Sequence, residues 1–197
     1  MRNLILFVFL LGFSFKGFSQ KPISELYTSY TIIRTTETSK PAAIEIALSL
    51  LKRADELTST QIANVNFHLG RLYEEVLEEE KAIPYYEASL KLAPDYYVTH
   101  RALANIYLKQ SMPIVPKMNE AGKAQQTAVY GQLFAAYKKL ILKALPHFEK
   151  AQACDADEQT LQQITSLYKN IKDTTSMATL ATRLKSMAVT CVDLLDD

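Results

Sequence analysis

The sequence contains no tryptophan, only five glycines and only two cysteines, and its formal net charge is +1 over 197 residues. So little glycine, together with the lack of tryptophan, argues against a collagen-like or β-rich chain. The near-neutral charge provides no electrostatic footprint for nucleic acid, so we expect no nucleic-acid partner. Two cysteines cannot form a disulfide-dense scaffold and do not have zinc-site spacing. Because 48% of the residues are hydrophobic, we predict a globular, helical protein.

Recognisable catalytic and cofactor motifs are also missing from the sequence. It contains no G-x-S-x-G, P-loop or G-x-G-x-x-G pattern. Its three histidines, His68, His100 and His147, form no H-E-x-x-H arrangement and do not stand beside a cysteine at metal-binding spacing. The acidic run at residues 78–80 has no calcium-loop pattern around it. We therefore expect a protein that is not an enzyme and that uses neither a metal nor a cofactor.

The first twenty residues have the pattern of a secretory signal. A basic start is followed by a largely apolar stretch at residues 4–15 and by small residues at Gly17 and Ser19. We predict that residues 1–19 form a signal peptide, cleaved after Ser19, and that the protein is exported to the periplasm or secreted. The alternative is a membrane anchor. A helix of residues 4–15 would span only about 18 Å of a roughly 30 Å hydrocarbon core, which argues against an anchor. We expect no stable membrane span after cleavage.

A 34-residue period runs through the rest of the sequence. The pattern N-x-x-L-G-x-x-Y at residues 66–73 recurs as H-x-x-L-A-x-x-Y at residues 100–107, and a weaker copy lies at residues 161–168. Between the first two copies, Ala82 and Tyr86 have helical spacing. Small residues at repeated positions allow two antiparallel helices to approach closely, while the aromatic residues fill the space beside them. Because a single helix pair cannot bury its apolar face alone, neighbouring pairs must stack.

This pattern resembles the tetratricopeptide repeat, a 34-residue helical hairpin that occurs in stacked arrays. The resemblance implies an all-α fold in which antiparallel helix hairpins are stacked as an α-α superhelix. We expect one such domain over residues 20–197. Its repeats are expected at about residues 28–62, 63–96, 97–157 and 158–195.

The third expected repeat contains an insertion. The segment KAIPYYE at residues 81–87 is matched by KALPHFE at residues 143–149, an offset of 62 that exceeds one 34-residue period by 28. We place the additional residues at about 110–142. They are expected either to extend the helical core or to form a flap that shapes a binding groove.

Two prolines and a periodic segment give the expected structure of the insertion. Pro113 and Pro116 predict irregular or extended chain over residues 110–119. From about residue 120 the apolar spacing predicts a helix that runs into Lys143. This insertion is therefore expected to contain one irregular segment and one long helix.

Helix boundaries elsewhere follow from apolar spacing and from proline. A helix is expected over residues 23–36, despite its many threonines. Pro146 either lies in the first turn of a new helix or kinks a long one, and Pro84, at the equivalent position, favours the first turn. Apolar residues at steps of three and four predict one continuous helix at about residues 176–195. We favour a terminal capping helix over a coiled-coil dimer there, because the stripe covers fewer than three heptads.

Cys154 and Cys191 fall in the last helices of two neighbouring repeats. Export would permit a disulfide between them. The alternative is a buried free thiol, because Cys191 belongs to the apolar stripe of the last predicted helix. The sequence does not decide between the two, since a disulfide depends on geometry.

The resemblance also implies where a partner would bind. In tetratricopeptide proteins the first helix of each pair lines a concave groove, and we assign to it the exposed positions of those helices. Arg71, Arg101, Lys109 and Asn105 resemble part of the carboxylate clamp with which some family members hold peptide C-termini. The alternative is a scatter of solvated charges. The complete set of predicted groove residues is Asn64, Phe67, Arg71, Glu74, Arg101, Asn105 and Lys109.

These observations together predict a non-enzymatic protein–protein interaction module of the cell envelope. We expect a scaffold, adaptor or chaperone-like protein that binds a segment of a protein or peptide partner in this groove. The alternative is a structural subunit of an envelope complex, assembled through the convex face or through the C-terminal capping helix.

Overall fold

The computed structural model describes residues 21–36, 39–193 and 195, and the predicted signal peptide lies outside them. Within these residues the regular structure is helical apart from one isolated β-bridge, so the predicted all-α fold class is confirmed. None of the helices there is both long and apolar enough to cross a bilayer. The α-helices of the described ranges are α1 (Ile23–Ile33), α2 (Lys40–Leu51), α3 (Ser59–Glu75), α4 (Glu79–Leu92), α5 (Tyr97–Ser111), α6 (Ile114–Lys123), α7 (Thr127–Cys154), α8 (Glu158–Asn170), α9 (Thr174–Ala178) and α10 (Leu180–Met187).

The first four helices pack in chain order, α1 on α2, α2 on α3 and α3 on α4. The predicted first helix is present and ends at Ile33. A capping box starts α3, because the Thr58 hydroxyl accepts from the Gln61 N–H at 3.1 Å and the Gln61 side chain accepts from the Thr58 N–H at 3.0 Å. These reciprocal bonds satisfy two of the backbone donors that a helix start leaves without an acceptor.

Helices α3 and α4 approach each other closely at Gly70. A methyl group added there would come within 2.6 Å of the ring of Tyr86, which is fully buried. The Tyr86 hydroxyl donates a 2.6 Å hydrogen bond back to the carboxylate of Glu74 on α3. The small residue of the repeated pattern is therefore required by the aromatic ring that packs over it.

The start of the insertion is helical, so the predicted irregular segment over residues 110–119 is wrong. Helix α5 continues to Ser111, and α6 begins at Ile114. Pro113 is the N-cap residue of α6, and Pro116 is its third residue. Neither position needs a backbone N–H, since the first N–H groups of a helix have no intrahelical acceptor. The two prolines therefore mark a helix start.

The predicted single helix from residue 120 into Lys143 is also wrong. The chain turns at Gln125, whose φ of 54° is left-handed, and this turn separates α6 from α7. The two helices pack on each other as a hairpin. Tyr137 and Ile141 of α7 are buried in the core, whereas residues 127–136 are mostly exposed.

Pro146 lies deep inside α7, so the prediction that it belongs to a first turn is wrong. Helix α7 runs for 28 residues across it. Pro84 is likewise inside α4, as its sixth residue. A proline in a helix removes one backbone hydrogen bond. The neighbouring Leu145 and Phe148 are almost fully buried, and we attribute the tolerance of Pro146 to that burial.

Two histidines contact each other where α7 packs against α5. The His100 Nε2–H donates to the carbonyl of Pro94 at 2.9 Å, so its Nδ1 accepts from the His147 Nδ1–H at 2.8 Å. Asp95 and Lys150 act electrostatically on His100, and His147 stacks on Tyr107. Burial lowers the pKa of both rings, that of His147 to about 4. A proton on the Nδ1 of His100, the acceptor of this pair, would place two N–H groups face to face.

We therefore expect acid to destabilise the fold through this pair. The folded state holds His147 neutral and the unfolded chain takes up its proton near pH 6.5, so the stabilisation is complete above pH 6.5 and is lost as the pH falls towards about 4. A loss of about 3 kcal/mol from His147 is expected by pH 4. Urea unfolding at pH 7, 5 and 4 measures it. The His147→Gln variant, which retains an N–H donor, should show a flatter pH dependence, and equal slopes for both proteins would contradict the prediction.

The C-terminal region is not the single helix predicted for residues 176–195. Helices α9 and α10 are separated at Thr179, and α10 ends at Met187. Beyond it the chain turns over residues 188–190. It then pairs with the start of α5, where the Val192 N–H donates to the Asp95 carbonyl at 2.9 Å and the Val192 carbonyl accepts from the Tyr97 N–H at 3.2 Å. These backbone groups at the start of α5 hold the segment out of a helical conformation. We call residues 188–193 and 195 the tail.

The tail is held by one covalent and several polar contacts. A disulfide joins Cys154, the last residue of α7, to Cys191. Cys191 is exposed, so a buried free thiol is not what the structure shows. The buried ammonium group of Lys150 donates to the carbonyls of Met187 and Thr190 and to Asp95, 2.7 Å away.

Candidate functional site

Five of the seven predicted groove residues line one cavity between α3 and α5, with a volume of about 250 Å³. We call this cavity the α3–α5 groove. The lining positions 67, 71 and 74 of α3, and 98, 101, 102 and 105 of α5, are three or four residues apart, so each helix presents one face to the cavity. The predicted residues in it are Phe67, Arg71, Glu74, Arg101 and Asn105, and the others are Tyr86, Val98 and Ala102.

The floor of the groove is aromatic. Phe67 is buried and packs edge-on against Tyr96, with ring centroids 4.9 Å apart, and against Tyr86 at 6.0 Å. Burial raises the pKa of Glu74, although the hydrogen bond from Tyr86 opposes this shift. Phe67 was expected to be exposed. It instead forms an apolar floor, which a bound partner would reach only with side chains that enter the groove.

Two arginines form the cationic part of the groove. Arg71 lies 3.5 Å from the carboxylate of Glu75, one turn along α3, and Arg101 donates at 2.7 Å to Asp155. The Arg101 guanidinium also lies 5.5 Å from the ring centre of Tyr97. The side chains of Arg71 and Arg101 are 55% and 41% exposed. Exposed ion pairs contribute about 0–1 kcal/mol, so an incoming carboxylate can replace either partner at little cost.

The remaining two predicted residues lie outside the groove. Lys109 forms an ion pair with Glu79 of α4, and the two residues border a separate surface depression. Asn64 is buried, contrary to the expectation of an exposed position. Its side-chain carbonyl accepts from Arg34 at 2.9 Å, and its amide donates to the backbone carbonyl of Leu195 at 3.2 Å. Asn64 is covered by the tail. The sequence pattern predicted a helix for the tail and therefore gave no sign of this contact.

The tail adjoins the groove through one aromatic residue. The backbone of Tyr96 pairs with Val192, and its ring contacts Phe67 on the groove floor. Val192 and Leu195 both pack against the hydrophobic core. A segment of this chain therefore already lies extended beside the floor of the α3–α5 groove.

A second cavity was missed by sequence reasoning. It also has a volume of about 250 Å³ and lies where the end of α1, the start of α2 and one face of α3 meet. We call it the α1–α3 cavity. Arg71 borders it as well as the groove. The repeat pattern is weak in the first two helices, so it gave no reason to single out Arg34 or Lys40. The lining residues are Arg34, Thr35, Thr36, Lys40, His68, Arg71, Leu72 and Glu75.

Neither cavity has the donor set of a metal centre. In the part of the chain that the structure describes, no three histidine, cysteine, aspartate or glutamate side chains are grouped so that they would hold a metal ion. No family model, curated protein or solved structure matches this chain.

Proposed function

We propose that this protein is a non-enzymatic interaction module that binds an acidic segment of another protein in the α3–α5 groove. The observation that carries the proposal is that Arg71 and Arg101 stand on either side of one cavity with Phe67 at its floor. Arginine and aromatic residues are the types that most often dominate the energy of protein interfaces. The tetratricopeptide resemblance supports the same helices as the binding surface.

The size of the groove favours a protein segment over a small molecule. Pockets for small ligands usually enclose about 300–1,000 Å³, and this groove has about 250 Å³. That volume suits one or two side chains of an extended segment whose backbone stays outside. The guanidinium groups favour a carboxylate because they donate two parallel hydrogen bonds to it.

Export to the cell envelope is part of the proposal. The signal pattern in the first twenty residues supports it. The disulfide between Cys154 and Cys191 supports it independently, because disulfides persist in oxidising compartments. There the module would act as a scaffold, an adaptor or a chaperone-like protein.

The test is chemical crosslinking in the native cell envelope, followed by affinity capture and mass spectrometry. The tag is best inserted at the exposed turn near Gln125, since a C-terminal tag would disturb the tail. Arg101→Glu is expected to reduce capture of the main partner at least about tenfold. Lys91→Glu is the matched control, because Lys91 is exposed and lies outside both cavities. Acidic peptides from the captured partner should then bind the wild type and not the variant.

Equal capture by Arg101→Glu and the wild type would overturn the proposed function. It would favour the alternative, a structural subunit of an envelope complex. That alternative would assemble through the convex face or through the C-terminal helices, which are α9 and α10 in place of the single capping helix expected there. Circular dichroism of each variant shows whether the fold is retained.

A further inference from the structure

The described residues that line the α1–α3 cavity carry more positive than negative charge. Among them are three cationic side chains, Arg34, Lys40 and Arg71, and one carboxylate, that of Glu75. Glu75 lies 3.3 Å from Lys40 and 3.5 Å from Arg71. One carboxylate thus serves two cations and does not pair with Arg34.

Arg34 is the least satisfied of these groups. Its Nη1 donates to Asn64 at 2.9 Å, and its guanidinium lies 5.7 Å from the ring centre of Tyr30. Its Nε is buried, and no acceptor among the described residues contacts it. Buried donors are nearly always hydrogen-bonded, so an exception in a cavity calls for an acceptor. The hydroxyl groups of Thr35 and Thr36 donate to the carbonyl of Ile32, and neither hydroxyl oxygen is within hydrogen-bond contact of the Arg34 Nε.

His68 lies within the positive field of Arg34 and Arg71. Burial lowers its pKa to about 3, and the charges of Arg34 and Arg71 lower it further in the same direction. Lys40 and Glu75 are the other charged groups that line the cavity. The imidazole is therefore neutral, and an anion placed beside it would stabilise its protonated form.

We propose that the α1–α3 cavity binds a single oxyanion, a carboxylate or a phosphate group, between Arg34, Arg71 and His68. The guanidinium fork can donate two parallel hydrogen bonds to two oxygens of either group. If the anion belongs to a bound protein segment, the inference rests on the proposed function, since Arg71 borders both cavities. If the anion is free phosphate, the inference is independent of that function.

Inorganic phosphate is the first probe, added to the exported chain at low ionic strength while the ring signals of His68 are followed by NMR. A His68→Gln variant assigns those signals. Saturable shifts and a higher pKa for His68 with phosphate than without it are expected. Arg34→Met should weaken binding at least about tenfold, because a hydrogen bond to a charged group is lost. Lys91→Met, which removes one positive charge elsewhere, should bind as the wild type does.

A short peptide rich in aspartate is the second probe, with its asparagine counterpart as the control. Shifts of His68 with the acidic peptide, lost in Arg34→Met, assign the anion to a protein segment. Shifts with phosphate alone assign it to a free ion, and both results support the site. The inference is overturned if neither probe moves the His68 signals, or if Arg34→Met and the wild type respond equally. Either result leaves the Arg101-dependent capture unaffected, so the two proposals fail separately.

Discussion

Replacing Arg183 with methionine is expected to lower the free energy of unfolding by about 3 kcal/mol. Arg183 of α10 donates to both carboxylate oxygens of Glu149 in α7, at 2.8 and 2.6 Å. The Glu149 side chain is only 3% exposed. Without the guanidinium, the buried Glu149 carboxylate would keep only one of these hydrogen bonds, the one from the Tyr168 hydroxyl, and its negative charge would have no cation beside it. Urea unfolding at pH 7 measures the change.

The double variant Glu149→Gln/Arg183→Met provides the control. It removes the buried charge together with its partner, so it is expected to be more stable than Arg183→Met alone. Lys81→Met is a comparison at the surface, since Lys81 and its partner Glu78 are both exposed, and it should lower the stability far less than Arg183→Met does. A loss below about 1 kcal/mol for Arg183→Met would show that the buried carboxylate does not depend on Arg183.

This polar network explains how the last helices attach to the fold. The Tyr168 hydroxyl contacts both Glu149 and Arg183, so α7, α8 and α10 meet at one point. Only Leu180 of α10 is buried among apolar residues. Helices α3 and α4 are joined by a glycine packed under an aromatic ring, Gly70 under Tyr86. Helix α10 is attached instead by the ion pair between Arg183 and Glu149.

Sequence periodicity predicted the helices best where small and aromatic residues recur. Gly70 and Tyr86 stand at repeated positions, and the structure shows that the space needed by the ring excludes a methyl group. Proline was the less reliable guide. Pro113 and Pro116 were expected to interrupt helix, and they instead occupy its start, while Pro146 is tolerated inside α7. Local propensity could not foresee the core packing around these positions.

The tail shows a different limit of sequence reasoning. Its apolar spacing is helical, yet its backbone bonds to Asp95 and Tyr97, almost a hundred residues earlier in the chain. Long-range partners such as these, and the amino group of Lys150, leave no trace in local spacing. The same limit applies to the candidate site. Arg71 and Arg101 were found from the repeat, whereas Arg34 was not, because the cavity it lines forms only when three helices meet.

Removing the disulfide is expected to cost about 3–4 kcal/mol of stability, as estimated from the entropy of closing a loop of this length. The sequence separation of Cys154 and Cys191 is 37 residues. Urea unfolding of the Cys154→Ala/Cys191→Ala variant, with and without a thiol reductant, measures the effect. Reductant should destabilise the wild type by a similar amount and leave the variant unchanged. A variant as stable as the wild type would contradict the prediction.

The loss should be local as well as global, because the disulfide fixes the tail beside the groove. In the variant the Val192 N–H, bonded to Asp95 at 2.9 Å, is expected to exchange faster than in the wild type. Amides in the middle of α3 should remain better protected from hydrogen exchange than the Val192 amide in both proteins. Lys150 should keep its contacts with Met187 and Thr190 in the variant. Faster exchange that is confined to the tail beyond Thr190 would therefore show that the disulfide tethers this part of the tail. Unchanged exchange at Val192 would assign it to Lys150 and the backbone bonds instead.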